Sequence, residues 1–217
     1  LKDRTLRSAR LLSFTFAAFL AAAIIFVPSA PGQAGKGGKG GGGKGGAPKG
    51  KQVARTSAPI DLTGTWVSVV TEDWMFRMVT PPKGEMLGVP VTGAARAAAN
   101  AWDPAADEAA GNQCKAYGAA AVMRQPGRIR VSWQDDNTLK VETEAGTQTR
   151  LFNFGAAPAA GERTWQGVST ARWETAVRAA GKPPAGNMKV VTTNLKPGYV
   201  RKNGVPYSAD ALLTEYY

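Results

Sequence analysis

The stretch that decides the fold is Asp61-Leu62-Thr63-Gly64-Thr65-Trp66-Val67-Ser68-Val69-Val70-Thr71-Glu72-Asp73-Trp74. It follows a Gly/Lys-rich segment and opens with the turn formers Asp61 and Gly64. The residues after Gly64 are almost all β-branched or aromatic, which predicts a first β-strand over residues 65–71. Successive strand residues point to opposite faces, so the large Trp66 indole lies on one face of this strand. We expect the Trp66 indole to be buried and to close one end of an apolar core.

Downstream of this strand the sequence alternates between apolar and polar residues, as strands do. Three such segments, joined by turns at 135–137 and 145–146, predict an antiparallel meander over 129–134, 138–144 and 147–154. Further strands are predicted at 74–79, 164–175, 188–193 and 195–200, and at the end of 206–217.

Two Ala-rich segments interrupt the strands. Residues 92–101 predict a short helix that Thr92 caps and that Trp102-Asp103-Pro104 ends. Residues 112–124, with three consecutive alanines, predict a second short helix or a tightly packed buried segment. The domain is therefore expected to be mainly β, with short helical insertions.

An apolar run near the N-terminus predicts an export signal or a membrane anchor. Residues 11–27 contain only two polar side chains, Ser13 and Thr15, and follow a segment with four cations. Cleavage after Ala34 and retention as an anchor both remain open. We expect segment 1–31 to be a retained transmembrane helix, anchored by Leu11, Leu12, Phe14, Phe16, Phe19, Leu20, Ile24, Ile25, Phe26 and Val27.

The cations before this segment favour a cytoplasmic start, since cytoplasmic flanks are rich in Lys and Arg. The chain is therefore expected to cross the inner membrane once, with domain 61–217 on the periplasmic side. Between anchor and domain, 32–60 is a flexible tether, because a Gly-rich sequence offers no apolar area to offset backbone entropy. Its lysines suit anionic lipid headgroups or an acidic partner, and they are Lys36, Lys39, Lys44, Lys49 and Lys51.

The charge distribution argues against a nucleic-acid partner. Residues 1–60 hold ten Lys and Arg and one acid, a net of +9, whereas 61–217 hold seventeen and fifteen, a net of +2. The basic character thus belongs to the tail, and the domain lacks the basic face that nucleic acid requires.

The composition also removes most catalytic chemistry. The chain contains no histidine, which excludes His-based acid/base catalysis, nucleophile–His pairs and His metal sites. The single cysteine, Cys114, excludes an intramolecular disulfide and a thiolate zinc site. Cys114 beside Lys115 is the one nucleophile candidate, but a buried inert thiol is the simpler interpretation.

Carboxylates do not form a convincing site in the sequence. Asp103, Asp107 and Glu108 are expected in a polar loop, without the ligand pattern of a calcium site and with cap roles open to both aspartates. Glu72 and Asp73 are neighbours whose side chains would point to opposite faces of a strand. We therefore expect no metal, no cofactor and no catalytic residue.

Gly64-x-Trp66 resembles the first-strand signature of lipocalin-like barrels, in which the Trp closes the base. The fold class is accordingly a curled antiparallel sheet or a lipocalin-like barrel. The resemblance implies an apolar ligand cavity, which Trp66, Trp74, Phe76 and Trp133 would line. A filled core is the alternative, and a cavity of about 300 Å³ or more would decide for a ligand.

The opening stretch, together with Cys114-Lys-Ala-Tyr-Gly-Ala-Ala-Ala-Val-Met-Arg124 and Arg201-Lys-Asn-Gly-Val-Pro-Tyr-Ser208, also resembles an uncharacterised family of exported bacterial β-domain proteins. Members continue with another strand pair beyond the end of this chain, so an open edge beside Tyr216 and Tyr217 would suit a partner's strand. The resemblance brings no known chemistry with it.

We therefore expect a non-catalytic accessory subunit, not an enzyme, that docks on a larger membrane protein complex. Abundant Trp, Tyr and Arg are typical of interfaces. The first candidates for this complex are the photosynthetic reaction-centre and light-harvesting complexes of phototrophic bacteria. Some of them look as though they recruit single-anchor subunits of this kind. The alternative from another class is an extracytoplasmic, lipocalin-like binder of an apolar small molecule.

Overall fold

A strongly curled, seven-stranded sheet forms the body of the domain. The computed structural model describes residues 53–69, 71, 77–176, 180–181 and 185–217, all within the unit Ala47–Tyr217. The predicted anchor 1–31, the tether lysines, Trp74 and Phe76 lie outside these residues. Among the helices described, none has both the length and the apolarity needed to cross a membrane.

The sheet follows chain order and is here called the half-barrel. Its strands are β1 (Gly64–Val67), β2 (Arg128–Asp135), β3 (Thr138–Thr143), β4 (Gln148–Phe154), β5 (Val168–Thr175), β6 (Gly186–Thr193) and β9 (Leu213–Tyr216), in the order β1-β2-β3-β4-β5-β6-β9. The mainly β class, the meander and the final strand are thus confirmed. The meander forms because alternating apolar residues bury one face of each strand, as Leu139 and Val141 do on β3.

The sheet is mainly antiparallel, as expected, with one parallel junction. β4 and β5 pair in parallel, with Phe152 opposite Ser169, while the other neighbours are antiparallel. Parallel neighbours need a connection of about a dozen residues or more, and residues 155–167 supply it. The loop ends at Gly167, whose φ of +61° suits glycine, so β5 begins at residue 168 and not 164.

The first strand is shorter than expected, and its Trp does not plug the core. β1 ends at Val67 and pairs only with β2 among the described residues, so it forms an edge of the sheet. The Trp66 side chain folds back over the preceding loop, and its Nε1 donates to the Leu62 carbonyl at 3.0 Å. The indole stays 49% exposed. Residues 77–79, the end of the predicted second strand, are not in a strand.

A second region, here called the helical layer, consists of the helices and a two-stranded hairpin. Its elements are α1 (Gly93–Ala101), α2 (Pro104–Ala109), a 3₁₀ helix (Gln113–Tyr117), α3 (Ala119–Val122), β7 (Gly198–Tyr199) and β8 (Pro206–Tyr207). α1 and its Thr92 cap are confirmed, since Thr92 Oγ1 accepts from Ala95 N at 3.2 Å. The predicted strand at 195–200 shortens to β7 and pairs with β8 instead of the main sheet.

The carboxylates expected in a loop belong to a helix. Asp103 is the N-cap of α2 and accepts from Ala105 N at 2.9 Å, and Pro104 occupies the first turn. Proline suits that position because its missing N–H has no intrahelical partner there. The loop assignment of Asp107 and Glu108 is therefore wrong, while the cap role of Asp103 is confirmed.

Each region has its own apolar core. The half-barrel encloses Val131, Leu139, Val141, Phe152, Ala171, Met188 and Val190. The helical layer packs Met86, Ala99 and Val205 together. Burial of these side chains supplies the main driving force for folding both regions.

Residues 53–63 form a segment, here called the strap, that crosses one end of the half-barrel. Ala54 is buried, its N–H donates to Asn137 Oδ1 at 3.0 Å, and its carbonyl accepts from Trp173 Nε1 at 2.8 Å. Arg55 N adds a bond to Asp136 O at 3.1 Å. Ala54 and Arg55 therefore contact the sheet, although the composition assigned both residues to the tether 32–60.

Candidate functional site

The interior of the half-barrel is not filled. It contains a cavity of about 140 Å³, open on one side, whose walls come from five strands of the sheet and from the loops beside them. The lining residues are Leu62, Trp66, Met123, Ile129, Val131, Leu139, Val141, Phe152, Met188 and Tyr217. Two residues singled out from the sequence, Trp66 and Tyr217, are therefore brought to one cavity.

The cavity is apolar, because the polar atoms of its aromatic residues are engaged elsewhere. Trp66 Nε1 donates to Leu62 O, and the Tyr217 hydroxyl donates to Glu215 Oε1 at 2.9 Å. An apolar void of about 150 Å³ stays dry in a protein and accepts benzene or xenon.

A buried ion pair lies behind two of the cavity walls. The Arg150 guanidinium donates to both oxygens of Glu215, at 2.9 and 2.6 Å, and to Thr192 Oγ1 at 3.2 Å. The Arg150 side chain is 0% exposed and that of Glu215 15% exposed. The Arg150 Cζ also lies 4.8 Å from the centroid of Phe152, which in turn packs against Tyr217. The pair thus fixes both aromatic walls.

The buried Arg150 guanidinium keeps its charge because it is paired with Glu215. Burial lowers the pKa of Arg150, but the bidentate hydrogen bond and charge of Glu215 outweigh it and raise that pKa. Burial first, and then the Glu215 carboxylate, raise the pKa of Tyr217 well above its usual range. Since Arg150 is on β4 and Glu215 on β9, the pair also holds the last strand in the sheet.

The free edge of β1 lies beside the cavity and is apolar. Val67 is 71% exposed and Val69 61%, and β1 has no strand partner on its outer side among the described residues. Such an edge presents unpaired N–H and C=O groups that invite a further strand. At the other edge, β9, Tyr216 is exposed under the Lys189 ammonium, 5.3 Å from the ring centroid.

Of the aromatic residues expected to line one cavity, the two that the structure describes, Trp66 and Trp133, are separated in the fold. Trp133 is not in the cavity lining but in a row with Phe154 and Trp173, at centroid distances of 5.6 and 5.1 Å. The row lies at the strap end, where Trp173 Nε1 bonds Ala54 O. Trp133 therefore packs the end of the core.

A polar cluster in the helical layer is centred on Asp107. Its carboxylate accepts from Trp102 Nε1 at 2.9 Å, Lys115 Nζ at 2.8 Å and Tyr199 OH at 2.6 Å. Burial raises the pKa of Asp107, but these hydrogen bonds and the Lys115 charge prevail, so that the pKa is lowered. Burial and the same carboxylate raise the pKa of Tyr199 above its usual range. With its partners in place, this carboxylate is a structural anchor.

The described residues bring no metal-binding set together. They contain no group of three His, Cys, Asp or Glu side chains that could hold a metal ion. Cys114 is half-buried, and the Lys115 ammonium next to it in sequence binds Asp107. The geometry offers an apolar cavity and an apolar strand edge.

Two features of the site were missed in the sequence. Arg150 stands in the alternation Arg150-x-Phe152-x-Phe154, where a cation on an apolar face could have indicated a buried ion pair. Its partner Glu215 is far away in the chain and carries no local signal. The cavity depends on how side chains fit together, which periodicity does not report.

Comparison with models of protein families, with curated proteins and with solved structures finds no match to this chain.

Proposed function

We propose that this chain is a non-catalytic, membrane-anchored accessory subunit whose half-barrel docks on a larger membrane protein complex through the free edge of β1. The observation that carries the proposal is the exposure of Val67 at the end of the edge strand β1 and of Val69 just after it. Contiguous exposed apolar side chains are typical of interaction surfaces. The occupant is an extended segment of a partner subunit that adds a strand to β1.

The membrane part of the proposal rests on residues 11–27 and on the lysines of 32–60. An anchor confines the domain near the bilayer, and the Gly-rich stretch 34–52, about 19 residues before the strap, gives it a reach of roughly 24 Å. Photosynthetic reaction-centre and light-harvesting complexes are the first assemblies to test, because of the resemblance stated above.

The test is co-purification from native membranes in mild detergent, with an affinity tag inserted in the exposed loop 156–160. Wild type should bring down membrane proteins in fixed stoichiometry, and Val67→Asp should lose them, because a charge on the edge opposes strand addition. Leu87→Asp is the matched control, since Leu87 is equally exposed but lies before α1. Retention of the same partners by Val67→Asp would refute docking at β1.

A second candidate function is the binding of an apolar small molecule inside the half-barrel, which the cavity favours. At about 140 Å³ the cavity is smaller than the 300 Å³ expected for a drug-sized ligand, so its ligand is a single ring or a short branched chain. Native mass spectrometry of the purified chain tests it: a bound small molecule that Val131→Phe releases supports binding. An unloaded chain that also takes up no added benzene would refute it.

A further inference from the structure

The main sheet has an opening between β4 and β5. These strands pair over residues 152–154 and 169–171, and the last pair is Phe154 with Ala171. β4 ends there, whereas β5 continues to Thr175, and among the described residues its part 172–175 pairs with β6 alone. One side of this part of β5 therefore has no neighbouring strand.

The backbone of β5 directs hydrogen-bonding groups into this opening. Just beyond the strand, Ala176 N donates to Ala185 O at 2.9 Å, so residue 176 faces the β6 side. Backbone groups of successive strand residues face alternate sides, so the N–H and C=O of Trp173 and Thr175 face away from β6. Unpaired strand groups of this kind bind a partner that supplies the complementary donor and acceptor.

A pocket of about 520 Å³, here called the gap pocket, lies at the opening. The strap crosses it, because Ala54 bonds to Asn137 Oδ1 on one side and to Trp173 Nε1 on the other. All three residues line the pocket. Small-molecule sites have volumes of roughly 300–1,000 Å³, so the gap pocket is large enough for a whole ring system.

The side chains of the gap pocket favour a flat, uncharged ligand. Phe154 and Trp173 are half-buried with ring centroids 5.1 Å apart, and both line the pocket, so they offer aromatic surface on which a ring can stack. Among the described lining residues the charged one is Arg172, whose guanidinium donates to Glu174 Oε1 at 2.6 Å. The lining therefore offers an ionic ligand no unpaired charge.

We propose that the gap pocket is a further binding site, which takes an uncharged planar heterocycle with a hydrogen-bond donor beside an acceptor on one edge. The flat face stacks on Phe154 and Trp173, and the polar edge bonds to the unpaired backbone of Trp173 and Thr175. The site is separate from the half-barrel cavity, with which it shares no lining residue, and from the free edge of β1.

The probe for this site is carbostyril, an uncharged bicyclic lactam whose N–H lies beside its C=O. The full chain, labelled with fluorotryptophan and placed in lipid nanodiscs, is titrated with carbostyril and followed by fluorine NMR. A saturable shift of the Trp173 signal is expected. The signals of Trp66, at the half-barrel cavity, and of Trp102, in the helical layer, should stay unchanged.

The polar edge is tested with N-methylcarbostyril, which keeps the ring system and loses the donor. Loss of one hydrogen bond should weaken its binding about tenfold relative to carbostyril. This comparison uses the wild-type chain and does not depend on the folding of a variant.

The aromatic wall is tested with Phe154→Leu, which removes a ring and keeps an apolar side chain. Its affinity for carbostyril should fall about fivefold, because the stacking contact is lost. The matched control is Leu151→Ala, on the same strand but exposed and outside the pocket, which should bind like wild type.

The outcomes separate the site from its ligand class. Equal affinities for carbostyril and N-methylcarbostyril would overturn the role of the β5 edge and with it the ligand class. A shift of Trp66 with Trp173 unchanged would place the probe in the half-barrel cavity and overturn the gap pocket, as would the absence of any saturable shift. Equal shifts of all signals would mean unspecific partitioning and would also overturn it.

Discussion

The half-barrel and the helical layer differ in the kind of open space that they contain. The half-barrel has an apolar cavity of about 140 Å³ that is open on one side. In the helical layer, a methyl group on the Cα of Gly118 or Gly198 would approach the Tyr207 hydroxyl to 2.5 or 2.6 Å, closer than atoms pack. The open space of the helical layer is instead a surface pocket of about 400 Å³, whose lining includes Asp107, Lys115 and Tyr199. This difference supports the proposal that the half-barrel is the region that takes up an apolar partner or ligand.

The two regions also differ in how they hold charge. In the half-barrel, Arg150 and Glu215 form an ion pair in which the Arg150 side chain is fully buried. In the helical layer, the Asp107 side chain remains 17% exposed and shares its charge among three donors. Loss of one member of a buried ion pair destabilises the fold, because the other charge stays buried without a partner. In a cluster near the surface, water can solvate the charge that is left.

Loss of Glu215 should have the largest effect of any change considered. Glu215→Leu leaves the Arg150 cation buried without its counter-ion, and we expect the free energy of unfolding to fall by about 3–5 kcal/mol. Denaturant unfolding of the full chain measures it. Arg150→Met together with Glu215→Leu should restore most of the loss. A single variant within 1 kcal/mol of wild type would contradict the buried pair.

Addition of one methyl group to the helical layer should come next. Gly198→Ala places its Cβ 2.6 Å from the Tyr207 hydroxyl and 2.8 Å from the Lys115 carbonyl, and such overpacking costs about 1–3 kcal/mol. The matched control is Gly198→Ala in a Tyr207→Phe background, where the clash with the hydroxyl is gone and those with the Lys115 carbonyl and the ring Cζ remain. If both backgrounds lose the same stability, the hydroxyl does not limit the packing.

Acidification should weaken the helical layer through Asp107. Because the pKa of Asp107 is lowered in the fold, its contribution is complete above the unfolded value of about 3.9 and is lost as pH falls through the folded value. Asp107→Asn should lower the free energy of unfolding by about 1–2 kcal/mol at neutral pH. It should also flatten the loss of stability between pH 5 and pH 2, and an unchanged slope would contradict this role.

The smallest predicted effect is that of Val→Ile substitutions, which should change the free energy of unfolding in opposite directions in the two regions. Val141→Ile extends into the cavity and should raise the free energy of unfolding by about 0.8 kcal/mol, the value of one buried methylene. Val205→Ile makes the same change in the close-packed layer and should lower it by about 1 kcal/mol. Thermal unfolding compares them directly, and equal signs would mean that the regions do not differ in packing.

The sequence predicted what local periodicity encodes. Alternation found the meander and the final strand, and the Thr92 side chain located the start of α1, whereas the helix that Asp103 caps was predicted as a loop. It did not predict the parallel pairing of β4 and β5, because loop 155–167 has no pattern that specifies which edge it returns to. The predicted position of Trp66 in the core was wrong because β1 is an edge strand. On one side such a strand has no neighbouring strand against which its side chains could be buried.

The candidate site was predicted only in part. Trp66 and Tyr217 do line the cavity, but nothing near either residue signals that β1 and β9 meet the same interior. The hydrogen bond from Tyr199 to Asp107 likewise joins residues 92 positions apart. Contacts of this range depend on the topology, which composition and spacing leave open.

The most direct test of the account is hydrogen–deuterium exchange of the full chain, measured once in native membrane extract and once after purification. If the free edge of the half-barrel docks on a partner, amides of β1 and of the strap should exchange more slowly in the extract, and amides of α1 and α2 should not change. Slower exchange confined to the helical layer would contradict the assignment of function to the half-barrel.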